Sequence, residues 1–189
     1  MIKIDVLVIG KLRRDEGVIL EAHSTSTLIT VDDKRIVVDT STKEMRELLL
    51  HSLDLLGTSP EDIDMVVNTH LHGDHTSNNE LFRNARFLAH ADECPGEGYE
   101  IVQGEMEILP GVRLIHTPGH SRGSMSVVVE ADRRYVIAGD AMPLEDNYRK
   151  WVPPGLHYDA ELALSSMRRI VDLADVIVPG HDAPFNPDR

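Results

Sequence analysis

Four short apolar segments are each followed by a glycine-containing loop that carries histidine or aspartate, and this recurrence constrains the fold more than any other feature. The segments cover residues 65–67, 114–115, 136–138 and 176–178. Short apolar runs bounded by such loops are typical of buried β-strands. A rigid sheet presents reactive groups on the loops that follow its strands. The sequence therefore predicts one site assembled from several strand ends.

Periodicity along the rest of the chain predicts further strands. Apolar residues alternate over residues 2–9, which indicates a half-buried strand with Ile2, Ile4, Val6 and Val8 on one face. Residues 28–31 and 36–38 flank Asp32-Asp33-Lys34 and predict a hairpin. Additional strands are expected at 87–89, 112–115, 125–129 and 135–138.

Two segments have helical periodicity. Residues 42–56 are predicted as a helix that begins with a capping box of Ser41 and Glu44 and ends at Gly57. A second helix is predicted from about Asp159 to Leu173. The apolar residues expected on the buried faces are Met45, Leu48, Leu49, Leu56, Leu162, Leu164, Met167, Ile170 and Val171. Many strands with two or more amphipathic helices indicate a mixed, layered α/β domain.

The loop after residues 65–67 concentrates residues that bind metals. It contains His70, His72, Asp74 and His75. In an extended segment residues two apart project to the same side, so His70, His72 and Asp74 can converge. Imidazole and carboxylate without thiolate suit Zn²⁺, Fe or Mn²⁺. A solvated, histidine-rich loop is the alternative, but the further candidates that follow later strands argue against it. These candidates are His120, Asp140 and His181.

These motifs resemble those of the metallo-β-lactamase superfamily. The matching segments are THLHGDH at 69–75, TPGH at 117–120, GD at 139–140, PGH at 179–181 and VDT at 38–40. Ser41 stands where the family has glycine after VDT, and Ser77 stands where glycine is usual after DHx. The resemblance implies an α+β fold, a four-layer αββα sandwich formed as a single domain by residues 1–189. It also implies a metal site on one edge, between the two sheets.

The same resemblance implies how two divalent metal ions are held, with zinc expected first and iron or manganese as alternatives. It assigns His70, His72 and His120 to the first ion. It assigns Asp74, His75 and His181 to the second. Asp140 would bridge both ions. The true β-lactamases generally place cysteine at the bridging position, so Asp140 points away from antibiotic hydrolysis. It points towards thioesterases, lactonases, phosphodiesterases and nucleases.

A finer resemblance is to the small metallo-β-lactamase-domain-containing proteins. It is carried by residues 87–90, 95–96, 109–112 and 175–185. The animal member of that group is linked to histone pre-mRNA cleavage. This resemblance therefore keeps a nuclease among the possible functions.

A binuclear site of this kind implies a hydrolase. Two ions about 3.5–4 Å apart share a hydroxide at neutral pH, and the hydroxide attacks a carbonyl carbon or a phosphorus atom. Asp74 is the candidate catalytic residue, because its carboxylate is suited to orient the hydroxide and pass a proton to the leaving group. Asp39 is expected either to orient a ligand imidazole or to cap the turn after its strand.

The remaining histidines have weaker claims to a chemical role. His90 and His116 are expected to be partly buried structural residues, and His23 and His51 to lie at the surface. The loop at 142–158 follows Asp140 and should pass near the metals. Within it, either His157 contacts substrate or Trp151 merely anchors the loop.

Charge favours one class of substrate over another. The chain has 32 acidic and 19 basic side chains, a formal net charge of −13. Nucleases gain most nonspecific affinity from Lys and Arg that neutralise phosphates. We therefore predict a small-molecule ester, thioester or lactone as substrate, and a phosphodiesterase or ribonuclease as the alternative. A di-iron redox protein is the third interpretation. The alternative acting on nucleic acid would use a local basic rim of Arg83, Arg86, Arg122, Arg149 and Lys150.

The sequence also indicates where the protein works. No apolar run approaches the ~20 residues that cross a bilayer, and no secretory signal is visible. The single cysteine, Cys94, excludes an internal disulfide and a cysteine-rich zinc site, and is expected to be inert. We predict a cytoplasmic protein without a membrane partner. Its oligomeric state is not predicted.

Overall fold

A computed structural model describes residues 1–188 of the chain, which contain thirteen strands and four α-helices. The strands are Ile2–Val8 (β1), Lys11–Asp15 (β2), Val18–His23 (β3), Ser26–Val31 (β4), Lys34–Val38 (β5), Met65–Val67 (β6), Arg86–His90 (β7), Tyr99–Val102 (β8), Met106–Leu109 (β9), Val112–His116 (β10), Met125–Glu130 (β11), Arg134–Gly139 (β12) and Val176–Pro179 (β13). The α-helices are Arg46–Leu55 (α1), Gly73–Thr76 (α2), Glu145–Lys150 (α3) and Ala160–Leu173 (α4). Short 3-10 turns cover Lys43–Met45, Pro60–Asp62, Asn79–Leu81 and Ala91–Glu93. None of the helices in this part of the chain is long and apolar enough to cross a bilayer.

The strands form two large sheets and one separate hairpin. Six strands pair in the order β1-β4-β5-β6-β7-β8, and five pair in the order β13-β12-β11-β10-β9. Strands β2 and β3 pair only with each other. The β4–β5 hairpin about Asp32 and Asp33 confirms the prediction from the apolar runs on either side of it.

Alternation along the strands produces three apolar layers. Ile36 and Val38 face the second sheet, whereas Val37 between them faces α1. In the second sheet Leu114 faces inward, and its neighbour Ile115 faces α4. The core between the sheets includes Ile29, Ile36, Val38, Met65, Val67, Leu88, Val112, Leu114, Met125, Val127, Val129 and Ile137. Helix, sheet, sheet and helix thus stack as the expected αββα sandwich.

Strand direction places the predicted site at one edge of this sandwich. Strands β5, β6 and β7 are parallel, so their carboxyl ends lie at the same edge of the first sheet. Strands β10 and β12 are both antiparallel to β11, and β13 is parallel to β12. Strands β10, β12 and β13 therefore run in the same direction. The backbone N–H of Met125 donates to the carbonyl of Thr69 across the gap between the sheets (2.8 Å). The strand-end loops of both sheets therefore meet.

Helix α1 departs from the prediction at its start and on its faces. A 3-10 turn precedes Arg46, and the Ser41 hydroxyl donates to the Ser24 carbonyl (2.8 Å) instead of capping a helix. Leu49 and Leu53 are buried, whereas Leu48 and Leu56, predicted to be buried, are 47% and 38% exposed. Leu49 and Leu53 are four residues apart and form the narrow stripe that packs on the sheet, and Leu48 and Leu56 lie outside it. Gly57 ends the helical path directly after α1 (φ +65°).

Other predicted details also require correction. A register shift between Val6 and Val8 splits the expected single face of β1, so Ile2 and Ile4 pack between the sheets while Val8 packs beside α1. In α4, Leu162 is 42% exposed although burial was expected. Sequence periodicity missed six strands and α-helices, because they are short or their residues are mostly polar or exposed. They are β2, β3, β8, β9, α2 and α3.

The cap of α4 provides a test of the fold. Asp159 Oδ1 accepts the backbone N–H groups of Glu161 and Leu162 (2.9 and 3.0 Å). Asp159→Ala is expected to cost about 1 kcal/mol, and to lower the thermal midpoint by about 2–4 °C, because the first-turn amides lose their acceptor. Asp172→Ala, at the exposed C-terminal end of the same helix, is the matched control and should leave the midpoint unchanged or slightly higher. Equal effects of the two substitutions in calorimetry would contradict the assigned cap.

Candidate metal centre

The seven predicted ligands lie together at the junction of the two sheets. The loop after β6 carries His70 and His72, and helix α2 then turns the chain so that His75 is buried. The loops after β10, β12 and β13 bring in the other predicted residues from the second sheet, which are His120, Asp140 and His181. Each side chain is delivered from the end of a buried strand, so the rigid sandwich positions the whole group.

The first cluster consists of three imidazoles whose nitrogen atoms face one another. His72 Nδ1 lies 3.0 Å from His70 Nε2 and 3.1 Å from His120 Nε2. On its other side, His120 Nδ1–H donates to the carbonyl of Leu156 (2.7 Å). Thr69 Oγ1–H donates to a carboxylate of Asp39 (2.7 Å), so this hydroxyl is left as the acceptor for His70 Nδ1–H (3.2 Å). Both Nε2 atoms therefore present lone pairs to the cluster.

The second cluster combines two imidazoles and one carboxylate. His75 Nε2 lies 3.3 Å from His181 Nε2, and Asp74 Oδ2 lies 3.5 Å from His181 Nε2. His181 Nδ1–H donates to the carbonyl of His23 (2.8 Å), and His75 Nδ1–H donates to Asp39 Oδ2 (2.7 Å). Hydrogen bonds to the outer nitrogens fix the tautomer of a metal-binding histidine in this way.

Asp140 stands between the two clusters. Its Oδ2 is 3.5 Å from His120 Nε2, and its Oδ1 is 3.4 Å from His75 Nε2 and 3.2 Å from His181 Nε2. Gly180 allows this approach, because a Cβ on residue 180 would lie 2.1 Å from Asp140 Oδ1. The two carboxylate oxygens of Asp140 therefore face different clusters.

The polar atoms of this centre fit metal ions. Asp140 Oδ1 is buried without a hydrogen-bond partner, and such an orphan in a folded protein requires a missing partner. Imidazole nitrogens 3.0–3.3 Å apart repel unless a proton or a metal cation lies between them. Three groups have ligand atoms within 4.8 Å of one another: His70, His72 and His120; His70, His75 and Asp140; Asp74, His75 and His181. The donor set is imidazole and carboxylate, as expected for metal binding without thiolates.

Burial and charge determine the protonation of the centre. Burial, followed by the positive charge of His75, lowers the pKa of His70 well below its usual value. Burial opposes protonation of His75 as well, but the carboxylates of Asp39 and Asp140 outweigh it and raise the pKa of His75. Asp140 likewise raises the pKa of His181 against burial. Burial disfavours ionised Asp140, yet His181 and His75 hold its pKa well below the usual value. The centre thus maintains a buried carboxylate and favours positive charge beside it.

Asp39 orients an imidazole of the centre, the first of the two functions that the sequence left open, and its carboxylate contacts the loop after β6 rather than capping the turn after its own strand. It accepts Thr69 N–H at Oδ1 (2.8 Å), which fixes the loop after β6, and it orients the imidazole of His75. Its backbone has φ +55°, and that of Ser41 has φ +60°, a region that L-residues seldom occupy. Glycine at position 41 would relieve part of this strain. By contrast Ser77 has φ −65° as the C-cap of α2, so glycine is not required there.

The histidines outside the centre have structural contacts. The rings of His90 and His116 stack at 4.1 Å with an angle of 7°, as expected for structural residues. With Asp92 they form a fourth group of possible ligand atoms. In this group, however, His90 Nδ1 already accepts Asp92 N–H, and His116 Nε2–H donates to the carbonyl of Arg122. The prediction for His23 is wrong, since this residue is buried. Its carbonyl orients His181 because β3 ends beside the centre.

A cleft of about 320 Å³ opens onto the centre. One wall comes from the β2–β3 hairpin through Leu12, Arg14 and Ile19, and another comes from Leu156. His157 is not among the lining residues in the described part of the chain, and Trp151 packs against the α4 layer as an anchor. The hairpin was not predicted from the sequence, because β2 and β3 have no clear alternation; its turn at Glu16-Gly17 takes positive φ at both residues (+46° and +83°).

The basic rim predicted for a nucleic-acid substrate is absent from the described cleft lining. Arg86 pairs with Glu100, and Lys150 pairs with Asp146. Arg122 stacks on the Tyr158 ring in a neighbouring depression. Arg149 pairs with acidic residues, and Arg83 lines a groove elsewhere. The acidic chain neutralises most of these cations locally.

Comparison with known proteins agrees with this geometry. The profile of the metallo-beta-lactamase superfamily matches residues 20–91 and 95–181. The chain is 42% identical over 182 residues to the probable metallo-hydrolase of Methanocaldococcus jannaschii, covering 96% of this chain and 87% of that protein. It is 39% identical over 162 residues to metallo-beta-lactamase domain-containing protein 1 of Mus musculus, covering 82% of this chain but only 62% of the mouse protein.

A solved structure gives the same result for the fold. The crystal structure of a quorum-quenching N-acyl homoserine lactone hydrolase superposes with a TM-score of 0.78 at 25% identity, covering 95% of this chain and 91% of that one. The sandwich, the strand-end histidines and the sequence relatives lead to one conclusion. This chain belongs to the metallo-beta-lactamase superfamily and is a metal-dependent hydrolase.

Proposed function

We propose that this protein is a binuclear hydrolase that cleaves an ester, thioester or lactone bond of a small molecule. The observation that carries the proposal is the position of Asp140, whose two oxygens face two separate groups of ligand atoms. His70, His72 and His120 would hold one ion. Asp74, His75 and His181 would hold the other, and Asp140 would contact both.

Zinc is the metal that we propose first, with iron or manganese as alternatives, because both groups combine imidazole and carboxylate without thiolate. When bound, the ions supply Lewis-acid polarisation of the scissile bond and lower the pKa of water at neutral pH. The protein contributes orientation: Asp39, the His23 carbonyl and the Leu156 carbonyl each fix one imidazole. Partners of this kind keep ligand atoms in the correct tautomer before metal binds.

Asp74 is the side chain that we assign to proton transfer. It lines the cleft and is 27% exposed, unlike the buried imidazoles of His75 and His181 in the same cluster. The backbone N–H of Ser24 donates to the Asp74 carbonyl (3.2 Å), which anchors the residue while its carboxylate reaches the cleft. Asp74 can therefore take a proton from attacking water at a carboxylate oxygen and deliver it to the leaving group.

The cleft supports a small carbonyl substrate. Its volume of about 320 Å³ suits a small ligand, and Leu12, Ile19 and Leu156 supply apolar walls. Arg14 is the single arginine or lysine among the described lining residues. One guanidinium can bind one anionic or carbonyl oxygen, whereas a nucleic-acid strand requires a row of cations. The fold shared with a lactone hydrolase is consistent with this substrate class.

The metal content tests the binuclear proposal. Protein purified without chelator is expected to contain two ions per chain by elemental analysis. Asp140→Ala should lower both the metal content and the turnover, because Asp140 alone faces both groups. Asp146→Ala, in an exposed ion pair with Lys150, is the control and should retain both ions. A single tightly held ion that is unaffected by Asp140→Ala would show that the bridging assignment is wrong.

The role of Asp74 has its own test. Asp74→Asn keeps the shape and one oxygen but removes the charge and the ability to accept a proton. Turnover is expected to fall at least ~10²-fold, the scale of a lost acid–base group. Metal content and thermal midpoint should be measured on the same sample, with Asp33→Asn in the exposed β4–β5 turn as control. Near-normal turnover in a folded, fully metallated Asp74→Asn protein would refute the role.

A substrate panel distinguishes carbonyl from phosphoryl chemistry. Homoserine lactones, thioesters and simple esters should be hydrolysed in a metal-dependent reaction, and single-stranded RNA and DNA oligonucleotides should not. The charge of the chain and the single Arg14 in the cleft are the reasons. The opposite result would be cleavage of the oligonucleotides without hydrolysis of the esters. That cleavage would weaken steeply with salt and disappear in Asp140→Ala. That result would establish the phosphodiesterase or ribonuclease alternative.

A further inference from the structure

Glu93 connects two loops of the metal centre without belonging to either ligand group. Its Oε2 accepts the backbone N–H of Leu71 (3.0 Å). Its Oε1 accepts the hydroxyl of Ser121 (2.5 Å) and the backbone N–H of Gly123 (3.0 Å). One carboxylate thus receives three hydrogen bonds from two segments that are 50 residues apart in sequence.

The groups that donate to Glu93 lie next to the histidines of the first cluster in sequence. Leu71 lies between His70 and His72, and Ser121 directly follows His120. These three histidines form the first cluster, and its residues come from different sheets. Glu93 therefore fixes the spacing between the two backbone segments that must supply imidazoles to the same ion.

The chain delivers Glu93 as it delivers the predicted ligands, from the end of a buried strand. Strand β7 ends at His90, and the 3-10 turn Ala91–Glu93 follows with His90 Nδ1 accepting Asp92 N–H (3.2 Å). The His90 ring stacks on His116, at the end of the strand that precedes the His120 loop. Gly123 makes room for the turn, because a Cβ there would lie 2.7 Å from Glu93 Cγ.

We propose that Glu93 is a positioning residue that sets the geometry and affinity of the first metal ion. This inference rests on the binuclear site proposed above. The Glu93 carboxylate accepts hydrogen bonds at both oxygens, so both its charge and its two acceptors are required to hold the Leu71 and Ser121 segments. The second cluster is held by other partners, Asp39 and the His23 carbonyl, and does not depend on Glu93.

Glu93→Gln is the appropriate variant because it keeps the size of the side chain. Whichever way the amide turns, its NH₂ group faces a donor, either Leu71 N–H or the Ser121 and Gly123 donors. The probe is Co²⁺ alone, titrated into metal-free protein against a chelator while the visible absorption of the two different ligand groups is followed. The dissociation constant at the first group is expected to rise 10–100-fold, the usual effect of losing an outer hydrogen-bond partner. The constant at the second group should not change.

Two further variants make the experiment decisive. Glu97→Gln, an exposed carboxylate four residues later, is the matched control and should bind both ions normally. Ser121→Ala removes one of the three hydrogen bonds and should weaken the first ion about fivefold, which keeps the test available if Glu93→Gln does not fold. Unchanged binding at the first group, or equal weakening at both groups, would overturn the role of Glu93. A wild-type protein that binds only one Co²⁺ would instead contradict the binuclear proposal itself.

Discussion

The metal centre depends on hydrogen bonds that the outward N–H groups of its buried imidazoles donate. His70, His75, His120 and His181 each use one ring nitrogen as a donor, and each partner belongs to a different part of the chain. A neutral imidazole with one nitrogen so engaged has its lone pair on the other, which here faces the centre. Metal affinity is therefore coupled to tertiary structure, since Asp39 and the carbonyls of Leu156 and His23 reach their imidazoles only in the folded chain.

The sandwich makes this coupling possible because it brings like ends of strands from two sheets to one edge. The apolar layer between the sheets fixes their separation, and the loops at that edge have little freedom. The strained backbone at Asp39 shows what this arrangement costs, since a left-handed conformation of a non-glycine residue costs about 1–3 kcal/mol. Asp39 offsets the strain through three hydrogen bonds that serve Thr69 and His75.

The charge distribution of this acidic protein agrees with the proposed binding of metal ions and a small substrate. The buried carboxylate of Asp140 attracts cations inside, whereas surface arginines such as Arg86 and Arg149 are paired with nearby acids. Little positive potential is then available outside the cleft, and long-range attraction of polyanions is weak. Arg14 is the exception, because the β2–β3 hairpin places it at the mouth of the cleft beside apolar residues.

The sequence by itself determined nine of the thirteen strands in the described residues, the seven candidate ligands and their family. Histidine and aspartate after apolar runs form a local pattern that needs no distant contact to be read. The same reasoning found the end of α1 at Gly57 and the start of α4 at Asp159, where local capping chemistry decides. Only the tertiary structure decided which surfaces surround the centre. The packing of the β2–β3 hairpin beside the centre, the burial of His23 and the three hydrogen bonds of Glu93 all join residues far apart in sequence. Periodicity carries no information about such contacts, since they exist only after the two sheets have packed face to face.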